Sequence, residues 1–324
     1  MMGSFTVPSP LPEFKVRLCR PDISSWVAGN TGIAGVTTRN SGRPGPHVAL
    51  LSLMHGNELA GAIALDRLLR EGLTPTRGKL SFGFANLAAF ERFDPQRPTA
   101  SRFIDEDMNR VWDAAILDGP RHSIELDRAR ELRPFIDTVD VLLDLHSMLW
   151  PSEALILSGV PAKGKALAKA IGTPSLVVAD HGHANGRRLI DYARFSDTDT
   201  PYAACLVEAG QHWEQMTVDT MLASIAGLLR HLAIVADGAP LPPALPAVAP
   251  RVATVTTAVT AMTSGFTFVQ AYHGGDIIPR RDTLIAMDGE TEIRTPHDNC
   301  LLVMPSLRPS RGHTAVRLGR FEAV

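Results

Sequence analysis

One stretch limits what this chain can fold into more than any other: Leu50-Leu51-Ser52-Leu53-Met54-His55-Gly56-Asn57-Glu58, with the apolar run that follows it. From His47 to Met54 the chain is nearly continuous Val, Ala, Leu and Met, and the turn-forming residues Ser41 to Pro46 bound it upstream. An unalternating apolar run entered through a turn suits a strand buried on both faces of a parallel sheet. Downstream, Leu59, Ile63, Ala64, Leu65, Leu68 and Leu69 recur at helical spacing, so a helix starts at Glu58 or Leu59. His55 and Glu58 thus fall where a central strand turns into a helix. Open α/β sheets build their sites at the carboxyl ends of strands. An imidazole and a carboxylate on such a turn can converge on one zinc ion, given a third ligand from elsewhere.

The remainder of the chain offers that ligand. Lys79 to Ala85 reads as the next strand, completing a βαβ unit with a right-handed crossover. Residues 91–120, rich in Arg, Asp, Pro and Asn, read as a long ordered loop of the kind that carries function. Residues 122–136 form a charged amphipathic helix with Ile124, Leu126, Ala129, Leu132 and Phe135 on its apolar side. Val139 to Ser147 is a second buried strand, ending on His146, and Ala203 to Gly210 is a third, ending on Glu208. Between them lie a strand at Ala154 to Leu157, a helix at Ala162 to Ile171, a strand-like run at Ser175 to Ala179 and a loop from Asp180 to Thr200. A helix from Val218 to Val235 follows. Residues 5–40 read as one or two early strands or an entry arm.

At 324 residues, the chain divides into an α/β domain over 1–236, a semi-rigid proline-rich linker over 237–250 and a small all-β domain over 251–324. A net charge of −2 gives no sign of a nucleic-acid or membrane-surface partner. Cys19, Cys205 and Cys300 form no metal or disulfide pattern, which fits a reducing cytoplasm. The N-terminus lacks the pattern of a signal peptide, and no apolar run is long enough to span a bilayer. The chain is expected to be cytoplasmic, and a homo-oligomer is left open.

Strand ends in one sheet lie side by side, so His55, Glu58, His146 and Glu208 can share one mouth. Two imidazoles and a carboxylate with one open position make a catalytic zinc set. Glu208 is then the acid free to take a proton from water and pass it to a leaving nitrogen. Asp144, two residues before His146 on the same side of its strand, is a candidate to orient that imidazole.

His55-Gly56-Asn57-Glu58, Arg102-Phe103-Ile104-Asp105-Glu106-Asp107-Met108-Asn109-Arg110, Asp144-Leu145-His146 and Val207-Glu208-Ala209-Gly210 resemble, in order and separation, the signatures of the succinylglutamate desuccinylase/aspartoacylase family. The resemblance runs from about residue 45 to 236, more loosely into the β tail. It implies a zinc carboxypeptidase-like fold, that is, α/β with a mixed, mainly parallel sheet flanked by helices. It implies one zinc per chain on His55, Glu58 and His146, with Glu208 catalytic. Arg102, Asn109 and Arg110 match positions that hold the substrate carboxylate and polarise the scissile carbonyl. A guanidinium fork suits a carboxylate because it meets two oxygens at once. Tyr192 and Arg194 lie in the loop before Glu208, where the family can carry further substrate-binding groups. His181 and His183 are taken as surface residues, and Gly56 and Asn57 as shaping the turn.

Two departures stand out. Leu53-Met54 replace the glycines often found before the first signature, and Ser147-Met148-Leu149-Trp150 replace the polar run usual after the second histidine. A larger, more apolar pocket wall on that side points away from N-acetylaspartate and N-succinylglutamate. The stretch Gly289 to Cys300 is similar to a lipoyl-like β tail without a lipoyl lysine nearby. The expected function is hydrolysis of the amide of a small N-acyl amino acid or related amide. A peptide-directed zinc carboxypeptidase and a non-catalytic metabolite-binding relative are the alternatives.

Overall fold

The protein is described from a computed structural model, which covers residues 14–182, 185–246 and 248–322. The chain divides into two compact units. One comprises Val16–Ser147 and Ala154–Pro250. The other comprises, among the described residues, Phe14 and Lys15, the segment Met148–Glu153 and residues 251–322.

The larger unit opens with a short helix α1 (Ser24–Val27) and strand β1 (Val36–Asn40), where the sequence suggests an entry arm. Residues 5–13 of that arm lie outside the described residues. Strand β2 (His47–Ser52) is buried at every position, as its unbroken apolar run requires. Helix α2 (Leu59–Arg70) and strand β3 (Lys79–Phe84) complete the βαβ unit. After helices α3 (Leu87–Glu91), α4 (Ala114–Leu117) and α5 (Ile124–Ile136) come β4 (Val141–Met148), β5 (Leu155–Leu157), α6 (Ala162–Ile171) and β6 (Leu176–Ala179). Helix α7 (Ala193–Ser196), strand β7 (Ala203–Gln211) and helix α8 (Gln215–His231) close the unit. The loop expected over 91–120 therefore holds α4 and a 3-10 turn at Met108–Arg110.

The strand order is β1-β3-β2-β4-β7-β5-β6, so the strands expected to carry the site, β2, β4 and β7, are consecutive. β2 runs parallel to β3 and to β4, and β5 parallel to β6, whereas β1 is antiparallel to β3 and β5 to β7. The register pairs Leu51 with Asp144, so two residues on, His146 stands level with Leu53 at the turn out of β2.

In the smaller unit, β8 (Arg251–Thr260), β14 (Thr314–Phe321), β13 (Cys300–Val303) and β10 (Ile277–Ile278) are neighbours in that order. A three-stranded sheet is built from β12 (Thr291–Arg294), β11 (Leu284–Asp288) and β9 (Phe266–Phe268). Val259, Phe266, Phe268, Tyr272, Ile285, Leu302 and Val316 fill its core. The segment 148–153 joins this unit through backbone bonds between Pro151, Glu153 and Gly274 and an Arg251–Glu153 ion pair. Trp150, the bulkiest residue of the apolar departure, packs edge-on against Phe14 with ring centroids 5.1 Å apart.

Helices α6 and α8 approach closely because Gly227 leaves room: a Cβ there would stand 2.2 Å from the Ile171 carbonyl oxygen. Gly227→Ala sets two effects against each other. Helix propensity favours alanine by about 1 kcal/mol, but forcing packed helices apart costs about 1–3 kcal/mol. The clash is with backbone, which cannot rotate away, so a net loss of stability is expected in urea unfolding. A gain in stability would show that the helices separate freely.

Candidate metal centre

The turn after β2 is shaped by two backbone demands. Leu53 sits in the left-handed region at φ 57°, a conformation that costs a non-glycine residue about 1–2 kcal/mol. Its fully buried side chain offsets this by about 2 kcal/mol of apolar burial. That explains how leucine persists in a conformation that favours glycine. Gly56 has no such latitude, since a Cβ there would lie 2.3–2.6 Å from backbone atoms of Ala89, Phe90 and Ser101. Its N–H donates to the Arg102 carbonyl at 3.1 Å, so the long loop is seated directly on this turn.

Glu58 is the N-cap residue of α2, yet its side chain makes no capping bond. Both oxygens turn instead to the site. Oε1 lies 2.7 Å from His55 Nδ1, and Oε2 lies 3.2 Å from His146 Nδ1 and accepts the Ser147 N–H at 3.0 Å. Ligand atoms of His55, Glu58 and His146 all fall within 4.8 Å of one another, and all three residues are buried. Burial opposes the charge on Glu58, but the two imidazoles hold its carboxyl well below the usual range.

The far nitrogen of each imidazole is matched to a carboxylate. His55 Nε2 lies 3.0 Å from Asp107 Oδ1, and His146 Nε2 lies 2.9 Å from Asp144 Oδ2. On each ring Nδ1 is the nitrogen turned to Glu58, and it is the one placed to meet a metal. The donor set fits a metal ion on a second ground. Glu58, Asp107, Asp144 and Glu208 bring four carboxylates into a region where Arg102 and Arg110 are the neighbouring guanidinium groups. A divalent cation supplies charge that this set otherwise lacks.

Glu208, buried on β7 and paired in register with Leu155, lies within electrostatic reach of Arg102. Arg102 donates to Glu58 Oε1 at 3.2 Å and to Asp107 Oδ2 at 3.3 Å, and its Nη2 stands 2.9 Å from His55 Nε2. Arg110 reaches Asp107 Oδ2 at 3.6 Å. Asn109 is buried, and its Oδ1 accepts the Leu189 N–H at 2.9 Å, which fixes the direction of its amide.

Tyr192 and Arg194 make their contacts elsewhere. Arg194 donates to the Val139 carbonyl at 2.6 Å and stacks over Tyr202. Tyr192 donates to Asp137 at 2.9 Å and accepts from Arg133 at 3.1 Å. Val139 lies ahead of β4, and His146 lies near that strand's far end, about 20 Å away at strand spacing. Both residues hold the helix-to-strand junction between α5 and β4. His181 is exposed, and His183 lies outside the described residues.

Two groups escaped sequence reasoning. Asp107 stands inside a quoted motif, but nothing in its spacing says that it faces an imidazole. His212, four residues past Glu208, is buried with Nδ1 2.6 Å from Ser147 Oγ, and burial pushes its imidazole down to about 4, so it is neutral near pH 7.

A mixed sheet with a buried His–Glu–His cluster at the ends of adjacent strands defines an α/β protein with a strand-end group that could hold a metal ion. The family model of the succinylglutamate desuccinylase/aspartoacylase catalytic domain matches residues 44–235. The chain belongs to that family. An aspartoacylase from Xenopus tropicalis is 29% identical over 123 residues, which cover 35% of this chain and 37% of that relative. The chain thus matches little more than a third of that relative's length. Among solved structures, a succinylglutamate desuccinylase from Vibrio parahaemolyticus shares the fold at TM-score 0.65 and 16% identity, over 89% of this chain and 86% of that one. A succinylglutamate desuccinylase/aspartoacylase from Rhodobacter sphaeroides does so at TM-score 0.64 and 19% identity, over 89% of each chain.

Replacing Asp144 by Asn removes the charge behind His146 and favours neither tautomer. Affinity for a divalent metal should fall about 10- to 100-fold, read by competition with a chelator. Unchanged affinity would mean that the Asp144–His146 contact plays no part in metal binding.

Proposed function

We propose that the protein is a zinc-dependent amidohydrolase that removes the acyl group from a small N-acyl amino acid or related amide. The observation that carries this reading is the convergence of His55, Glu58 and His146 beside a second acid, Glu208, on the next strand. His55, Glu58 and His146 would hold the ion, which when bound supplies Lewis-acid polarisation of the amide carbonyl and makes water acidic enough to lose a proton near neutral pH. Glu208 takes the proton from the attacking water and delivers it to the leaving nitrogen. Asp107 and Asp144 stand behind the two imidazoles and hold their orientation. Family membership supports the choice of an amide as substrate.

Arg102 and Asn109 grip the substrate's carboxylate, and Arg110 stabilises the negative charge that develops on the carbonyl oxygen. For Arg102 this requires exchanging part of its contact with Asp107 and Glu58 for the incoming carboxylate. Asn109 needs no such exchange, because Leu189 engages only its oxygen and the amide N–H2 remains a donor. The free thiols of Cys19, Cys205 and Cys300 accord with work in a reducing compartment.

Glu208→Gln keeps the shape of the side chain and removes its basicity. Turnover of the best substrate in a panel of N-acetyl, N-succinyl and N-formyl amino acids should fall about 10³-fold, with zinc content by elemental analysis unchanged. Near-native turnover in that variant would refute the mechanism. Cleavage of C-terminal residues from unacylated peptides in preference to the panel would move the protein to the carboxypeptidase reading.

A further inference from the structure

Between α3 and α4, the segment that carries Arg102, Asp107, Asn109 and Arg110 has no strand and only one 3-10 turn. A side chain outside every sequence signature holds it. Glu125, in the first turn of α5, is completely buried. Its Oε1 accepts the Ile104 N–H at 2.7 Å and the Asn86 amide at 3.1 Å. Its Oε2 accepts the N–H groups of Asp105 at 3.0 Å and Glu106 at 3.2 Å. A carboxylate offers about four lone-pair sites, so two donors on each oxygen fill it.

The bracket closes in both directions. Asp105 Oδ2 accepts the Ile124 N–H at 2.8 Å, and the Ser123 hydroxyl donates to Glu106. Asn86 in turn caps α3 through Ala89 N–H at 3.1 Å and gives its own N–H to the Leu53 carbonyl at 2.8 Å, in the turn that bears His55. An acid in a first helical turn is ordinarily a solvated partner of the helix dipole. Glu125 differs: it is buried, and three successive backbone N–H groups of another segment occupy it.

We propose that Glu125 is a positioning residue, which fixes the backbone of residues 104–106 and so sets Arg102 and Arg110 at the metal centre without touching substrate. Only the kinetic arm of its test rests on the amidohydrolase reading. In Glu125→Gln, one oxygen becomes an NH2 group, so two of the four donors face a donor whichever way the amide turns. Hydrogen exchange at Ile104, Asp105 and Glu106 should accelerate in the full-length protein, while β2 and β4 stay protected and zinc content is unchanged. A shift of about 1 Å in a positioning group costs about a hundredfold in rate, and kcat/KM should fall by that order. Glu131→Gln, at the exposed side of the same helix, should leave exchange and kcat/KM as they were.

Glu125→Asp serves as the second variant, since it keeps the charge at the helix start but withdraws the carboxylate by one methylene. It should show the same local loosening. Native exchange and native kcat/KM in Glu125→Asp would assign the effect to charge at the helix terminus and overturn the proposal. Unchanged protection of residues 104–106 in Glu125→Gln, or loosening there with native kcat/KM, would overturn it too. So would loss of zinc together with protection of β2 and β4, which marks a purely structural residue. If the wild type hydrolyses no member of the panel, the functional reading fails and the exchange arm alone decides: selective loosening at 104–106 supports the bracket, and none refutes it.

Discussion

Everything at the centre depends on one carboxylate. Glu58 faces both imidazoles at 2.7 and 3.2 Å and is itself held by a backbone N–H from β4. A buried carboxylate is expensive, several kcal/mol even after relaxation, and it survives only because each oxygen is met. The same contacts connect two strands that are far apart in sequence. His55 and Glu58 come from the exit of β2, and His146 and Ser147 from the exit of β4. Parallel pairing of β2 with β4 brings those exits level, so the cluster follows from register and needs no special loop.

The carboxylates behind the two imidazoles follow the same logic. An imidazole used through Nδ1 turns its Nε2 outward, and here each Nε2 stands beside a carboxylate. Asp144 supplies one from the same strand as its histidine. Asp107 supplies the other from a loop, and it also accepts the Asn109 N–H at 2.8 Å. That double duty ties the geometry of the histidine to the start of the 3-10 turn that presents Asn109 and Arg110. A residue that looks like loop decoration thus couples the cluster to the groups beside it.

Much of this was legible in the sequence, and the reason is physical. Buried parallel strands need unbroken apolar runs, so β2, β4 and β7 announce themselves, and polar residues at their ends are conspicuous. Helix α6 has its expected bounds, Ala162–Ile171, because a compact Ala/Lys period ends at Gly172, which takes the left-handed conformation at φ 74°. What was not legible is direction across the sheet. Tyr192 and Arg194 precede Glu208 by 16 and 14 residues, but the chain enters β7 from the far end, so they come to lie near the start of β4 rather than its end. Glu125 was hidden for a related reason: on a helix face already rich in charge, a buried acid and a solvated one have the same letter. Even the helical period gives no sign that a loop will come to lie on that position.

The arrangement separates two tasks. The proposed metal ligands sit on strand ends and an adjoining helix cap, where backbone pairing fixes them to within the tolerance that a metal demands. The groups assigned to grip substrate sit on a long loop held by side-chain brackets: Glu125 under residues 104–106, and Asn109 to Leu189 further on. Bracketed loops accept insertion and substitution more readily than paired strands do. Substrate preference can therefore drift within this architecture while the His–Glu–His cluster stays as it is. The restraint on that drift is Asp107, which belongs to the loop by sequence and to the cluster by contact. Any change that carries the loop away from the turn also withdraws the carboxylate behind His55, so the loop is free to vary at its surface but not at its seat.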